Sequence, residues 1–221
     1  MSETSNRLIL LELNEINFDV VEKYVRVNAT SFPSLRKLLS YPGIRTSSEK
    51  KYEELEPWIQ WASVHSCKSF AEHRIFRLGD TVGSRVPQIF ERLEHAGFNV
   101  GAISAMNAEN RLNHPAYFIP DPWTQTHADS SWWSQSLGQA VAQAVNDNAQ
   151  ARITLKSALQ LALGLLRFAR VRHYKTILPL IVSWRRKRWR KALLLDLLLH
   201  DMHLSMFESK KPNFSTLFLN A

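Results

Sequence analysis

A chain of 221 residues with 45% hydrophobic and 22% charged side chains can bury one large core, or a core with an appended helical subdomain, which excludes a disordered chain. The single cysteine, Cys67, rules out an internal disulfide and a thiolate zinc site and fits a reducing compartment. The formal charge of +8 is unevenly placed: residues 1–150 carry 14 Lys and Arg against 17 Asp and Glu, and residues 151–221 carry 14 against 3, an asymmetry that suggests two jobs.

Met1 to Arg7 is polar, and the apolar run after it is short and interrupted by Glu12. Neither a signal peptide nor a spanning helix is expected there, and a cytoplasmic location is the default. Leu8 to Leu13 is almost continuously apolar and reads as a fully buried strand. It stops at Glu12, Asn14 and Glu15, a cluster of carboxylates and an amide at the end of a strand, where open α/β proteins place ligand chemistry. Asp19 to Arg26 and Ser34 to Leu39 read as helices, the second opened by Pro33, and Ile44 to Ser48 as an edge strand.

Pro57 opens an aromatic-rich helical pattern running to Cys67, whose N-terminus would favour an anion. Val86 to Ala96 is a helix stopped by Gly97, and Phe98 to Ile103 a buried strand. Asn113 to Ser131, rich in Pro, Asp and aromatics, is expected as a long ordered loop. From Trp132 to Phe207 nearly everything is helical, and Phe214 to Leu219 is a final strand.

The order of these pieces resembles the N-terminal part of the alkaline phosphatase superfamily, in particular its type I phosphodiesterase and nucleotide pyrophosphatase-like branch. The carrying segments are Leu8 to Asp19, the Pro33 helix with Leu35, Leu38 and Leu39, Glu56-Pro57 to Ser66-Cys67, Glu72-His73, and Phe90 to Ile103. They cover roughly the first half of the chain plus its last strand. The resemblance implies an α/β fold, a partial alkaline-phosphatase-like open sheet with helices on both faces and a helical insertion. Its divisions are 1–131 for the α/β core, 132–210 for a helical insertion or cap, and 211–221 for a returning core strand.

The resemblance also implies metal-dependent hydrolysis of phosphate esters or diesters, with zinc or manganese as cofactor and a phosphate-containing small molecule or glycan-linked substrate. Carried over residue by residue, the pattern is degenerate. The metal-binding Asp of the first strand falls on Asn14, with Glu12 and Glu15 as neighbouring candidate ligands. The nucleophile position falls on Leu55, which cannot act, leaving Glu56, Tyr52 and Ser66 as nearby reactive groups. Phosphoryl transfer needs metals to polarise the phosphoryl oxygens and to activate the attacking hydroxyl, so this chain is expected to be inactive or incomplete, either a truncated product or a degenerate member.

Each candidate also has a structural reading. Glu12 and Asn14, two apart on a strand, share a face, but Glu12 can equally pair with a buried Arg or cap a helix. His65 and His73 are expected as hydrogen-bonded packing residues near Trp58 and Trp61, Cys67 as a small buried side chain, and Asp121 as a turn former between Pro120 and Pro122.

Arg185, Arg186, Lys187, Arg188, Arg190 and Lys191, interleaved with Trp184 and Trp189, form the most extreme local charge feature. The flanking apolar segments favour peripheral contact with an anionic membrane surface over nucleic acid, in a non-catalytic binding role that is the alternative to hydrolysis. A helical cap with a solvated basic side remains open.

Overall fold

The computed structural model describes residues 7–27, 31–146, 153–183 and 187–220, and within them every side chain except that of Arg188. The described residues form a mixed α/β fold built on a four-stranded, fully parallel sheet. Its strands are β1 (Leu8–Asn14), β2 (Val100–Ile103), β3 (Tyr117–Ile119) and β4 (Phe214–Asn220), in the order β1-β4-β2-β3. The helices are α1 (Phe18–Val27), α2 (Pro33–Leu39), α3 (Pro57–Ser66), α4 (Phe70–His73), α5 (Ile89–His95), α6 (Trp132–Asn146), α7 (Leu155–Phe168), α8 (Tyr174–Ser183) and α9 (Arg188–Lys210).

Local chemistry explains the boundaries. Pro33 and Pro57 stand at the first helical positions of α2 and α3, where the absent N–H loses no intrahelical bond. Residue Gly97, at φ +86°, ends the α5 segment in a left-handed conformation that costs glycine little. The α7 helix starts at Thr154, whose hydroxyl accepts from the Ser157 N–H at 3.2 Å. Thr154→Ala is therefore expected to cost about 1 kcal/mol, measured as a drop in urea midpoint at unchanged slope.

Helices cover both faces of the sheet. On one face Ile103, Tyr117, Ile119 and Leu217 join Leu137 and Val141 of α6, Phe168 of α7 and Leu195, Leu198, Leu199 and Met202 of α9 in one apolar core. On the other, Val100, Ala102, Phe118 and Phe214 pack against Phe90 of α5. Segment 132–210 thus packs on the sheet that the first 131 residues begin. Its described helices α6, α7 and α9 supply one of the two helical layers.

Three expectations are corrected. The first strand is not fully buried: β1 pairs only with β4 among the described residues, and Leu8, Ile9 and Leu11 are exposed while Glu12 and Asn14 point inward. Residues 44–48 carry no strand. The expected loop 113–131 contains β3, three residues long between Ala116 and Pro120. The stretch expected to be nearly all helical is so in α6 to α9 among its described residues, with α8 formed despite Pro179 in its interior.

Two contacts tie β4 to its surroundings on the α9 side. Fully buried Ser215 lies 2.6 Å from the Tyr117 hydroxyl and 2.7 Å from His203 Nε2. Burial pushes the Tyr117 phenol up to about 12 and, with His200 adding to it, holds His203 down to about 4, so both are neutral near pH 7. The Tyr117 ring lies across Gly101, where an added Cβ would meet ring carbons at 2.7 Å or closer.

Candidate functional site

Parallel strands deliver their ends to one edge of the sheet, and here that edge carries Asn14 of β1, Asn220 of β4 and Ser104 just after β2. Beneath it, on the α3 side, sits a buried polar cluster. Fully buried Glu12 accepts a hydrogen bond from the Thr216 hydroxyl through Oε1, and the same oxygen lies 3.1 Å from Nε2 of His65 on α3. The His65 ring stands between Trp61 and Phe90, with ring centroids 6.0 and 5.2 Å away. Glu12 Oε2 and His65 Nδ1 are buried without a hydrogen-bond partner.

Above this cluster Asn14 donates through Nδ2 to Asn220 Oδ1 at 3.1 Å and accepts from the Trp61 indole N–H at 3.1 Å. The structure therefore brings Glu12 and Asn14 to one face, as their spacing requires. Glu15 is exposed at φ +58° and stays outside. The partner of Glu12 is a histidine, neither an arginine nor a helix end.

The residues around the expected nucleophile position do not converge on Asn14. Leu55 follows a short 3-10 turn (Tyr52–Glu54) and is partly exposed, and Glu56 is exposed and caps α3 without a side-chain hydrogen bond. Ser66 is buried, but its hydroxyl donates back to the Ala62 carbonyl at 2.7 Å within α3. Cys67, expected to be buried, is exposed because it ends α3 at φ +57°. His73 is the expected packing residue: its Nδ1 accepts from the Ile75 N–H and its Nε2 lies 2.9 Å from the Ser63 hydroxyl. Asp121 forms the expected turn, accepting from the N–H groups of Asn107, Trp123 and Thr124 and from the Thr124 hydroxyl.

Between the sheet edge and α9 lies a cavity of about 190 Å³, bordered by Ser104, Trp123, Lys191, Asp196, Phe218 and Asn220. Lys191 is buried, with its Nζ donating to the Ala144 carbonyl at 2.7 Å. It belongs to the cationic run expected at an anionic membrane surface, and it turns inward. Of that run, Arg185 and Arg186 lie outside the described residues, as does the side chain of Arg188, while Lys187 is exposed and the Arg190 guanidinium sits 5.3 Å over the Trp189 ring.

Asp196, the other charged wall of the cavity, is raised to about 6 by burial, against a hydrogen bond from the Asn220 N–H. A carboxyl whose folded value lies above its unfolded one destabilises the fold when ionised, and that cost fades as pH falls through 6 toward 4. Asp196→Asn is expected to gain about 2 kcal/mol over the parent at pH 7.5, after discounting for partial solvent screening. Urea denaturation across pH 4–7.5 should show that gap closing toward acid. Sequence reading missed Asp196, although a lone acid inside Leu193–Leu199 was the available signal.

Among the described residues, one group of three metal-ligating side chains converges: His173, His200 and Asp201. None of these borders the cavity. No helix of the described residues is long and apolar enough to cross a membrane.

Comparison with known proteins adds no relative. No family model, curated protein or solved structure matches the chain.

Proposed function

We propose that the carboxyl edge of the sheet binds a phosphate-containing small molecule, or the phosphate of a glycan-linked substrate. This site would be related to those of the metal-dependent phosphoric ester hydrolases of the alkaline phosphatase superfamily. The observation that carries the reading is the convergence of the ends of β2 and β4, through Ser104 and Asn220, with Lys191 and Asp196 of α9 around one cavity at that edge, the place where open parallel sheets bind ligands. Lys191 supplies the positive charge, and Ser104 and Asn220 supply neutral polar groups.

The donor set does not suit a catalytic pair of divalent ions such as zinc or manganese. Its side-chain oxygen donors are one carboxylate, Asp196, the Ser104 hydroxyl and the Asn220 amide, which already accepts from Asn14, whereas such ions are held by several carboxylates or imidazoles. With Leu55 in the nucleophile position as well, the role is binding rather than turnover. Calorimetric titration with phenyl phosphate, with and without zinc or manganese, is expected to give saturable binding that Lys191→Met weakens at least about tenfold. No hydrolysis of an aryl phosphodiester above background should accompany it. Absence of binding, or metal-dependent turnover, overturns the reading.

A second reading, peripheral attachment to an anionic membrane, is favoured by α7. Leu155, Leu159, Leu163 and Leu166 are 79, 57, 46 and 74% exposed and fall on one side of the helix by their spacing, with Lys156 and Arg167 exposed beside them. Apolar stripes bordered by cations suit the headgroup boundary. Co-sedimentation with phosphatidylserine vesicles, weakened by salt and abolished by Leu159→Asp with Leu166→Asp, is the expected result; retention of binding by that variant removes this reading.

A further inference from the structure

Asp201 on α9 is a carboxylate with no solvent exposure, and what surrounds it is unusual for a structural acid. Its Oδ2 accepts from the main-chain N–H of Arg170 at 2.8 Å, as a partner that fixes its orientation. Facing it are two imidazoles, with His173 Nδ1 at 2.9 Å from both oxygens and His200 Nδ1 at 3.1 Å from Oδ1. One imidazole comes from the turn Val171–His173 before α8 and the other from α9 itself. The ligand atoms of all three lie within 4.8 Å of one another.

The two imidazole–carboxylate spacings approach what a tetrahedral ion requires, and the two imidazoles, with ring centroids 5.8 Å apart, would close toward the ion by side-chain rotation. With bonds of about 2.0–2.2 Å to nitrogen and oxygen, the edges between zinc ligands are about 3.3 Å, so the 2.9 and 3.1 Å separations need to open by only a few tenths of an ångström. Two imidazoles and one carboxylate are a borderline donor set that suits zinc and other late first-row ions. Calcium and magnesium take more oxygen donors than this group offers. The carboxylate is closed off, while the His173 and His200 side chains are 20 and 33% exposed. An ion has a path from solvent, and a fourth position stays open to water on that side.

We infer that His173, His200 and Asp201 form a binding site for a zinc-type divalent cation, with no residue in common with the carboxyl-edge cavity. These same atoms hydrogen-bond to one another, which holds the ligands near positions that would suit an ion. Arg172 donates from Nε to His173 Nε2 at 3.2 Å, which leaves the proton on Nδ1. Metal binding at Nδ1 moves that proton to Nε2, and exposed Arg172 swings to water. Bound metal would fasten the turn before α8 to the middle of α9.

The test is calorimetric titration of the full chain with zinc chloride, with cobalt(II) as a spectroscopic substitute. The expected result is one equivalent bound with a dissociation constant of about 1 µM or tighter. Cobalt should give the intense visible bands of a four-coordinate site. His200→Ala, chosen because its side chain is the most exposed of the three, should weaken zinc binding at least about tenfold while circular dichroism stays that of the parent. Lys191→Met should leave zinc binding unchanged, so failure here and failure of phosphate binding at the sheet edge are separate results. No saturable zinc binding, six-coordinate cobalt spectra, or equal zinc affinity in folded His200→Ala each overturns the inference.

Discussion

Glu12→Ala is expected to destabilise the protein by about 3–5 kcal/mol, the upper range for a single substitution that leaves buried polar groups unpaired and opens a cavity. The substitution leaves a fully buried imidazole, His65, without its nearest partner. It also takes away the acceptor of the Thr216 hydroxyl and opens space between β1, β4 and α3. Glu12→Gln keeps Oε1 and places an amide where Oε2 has no partner, so it should cost about 1–2 kcal/mol, the penalty of one unsatisfied buried donor. Urea denaturation followed by tryptophan fluorescence reads both, since Trp61 lies beside His65 and edge-on to Phe218. An alanine variant within 1 kcal/mol of the parent would mean that this cluster does not hold β1 in the sheet.

Gly101→Ala should cost about 3 kcal/mol, the upper end of ordinary overpacking. The added methyl group would fall on the face of Tyr117, and that ring cannot retreat without breaking the bond from its hydroxyl to Ser215. The effect should be strongly non-additive: in Gly101→Ala with Tyr117→Leu, the alanine should cost less than about 1 kcal/mol beyond the leucine change alone, because the clash has gone. A thermal-melt double-mutant cycle measures the difference, and simple additivity would show that the strain lies elsewhere.

How far the sequence discloses this molecule depends on the range of the interaction that decides each feature. Helix α3 and strands β2 and β4 were legible because Pro57, Gly97 and the run Phe214 to Leu219 act locally. Strand β3 escaped because Tyr117, Phe118 and Ile119 are too few to show a period and stand among prolines. Helix α8 falls within the stretch expected to be nearly all helical, and Pro179 does not prevent it, since Ile177 and Leu180 on either side of the proline are buried. The exposed outer face of β1 could not be foreseen, since an apolar run signals burial whichever neighbours cover it.

The site divides the same way. Period-two alternation placed Glu12 and Asn14 on a common face, but the partner of Glu12 is 53 positions away in sequence and no spacing rule links them. Lys191 looked like one more cation in a run facing an anionic surface. Its inward turn depends on the carbonyl of Ala144, contributed by another helix.

The strand order bears on how the protein can be made. β4 follows every other described element in the chain, yet it lies between β1 and β2, and Asn14 bonds to Asn220 across a separation of 206 positions. At ribosomal rates of about 5–20 residues per second, β1 waits roughly 10–40 s for the neighbour that fixes its register. β2 and β3 adjoin in both sequence and space and are free to pair early with α5. A nascent chain therefore passes through a stage in which an apolar first strand is outside the ribosome without a partner, which is when a chaperone would be needed.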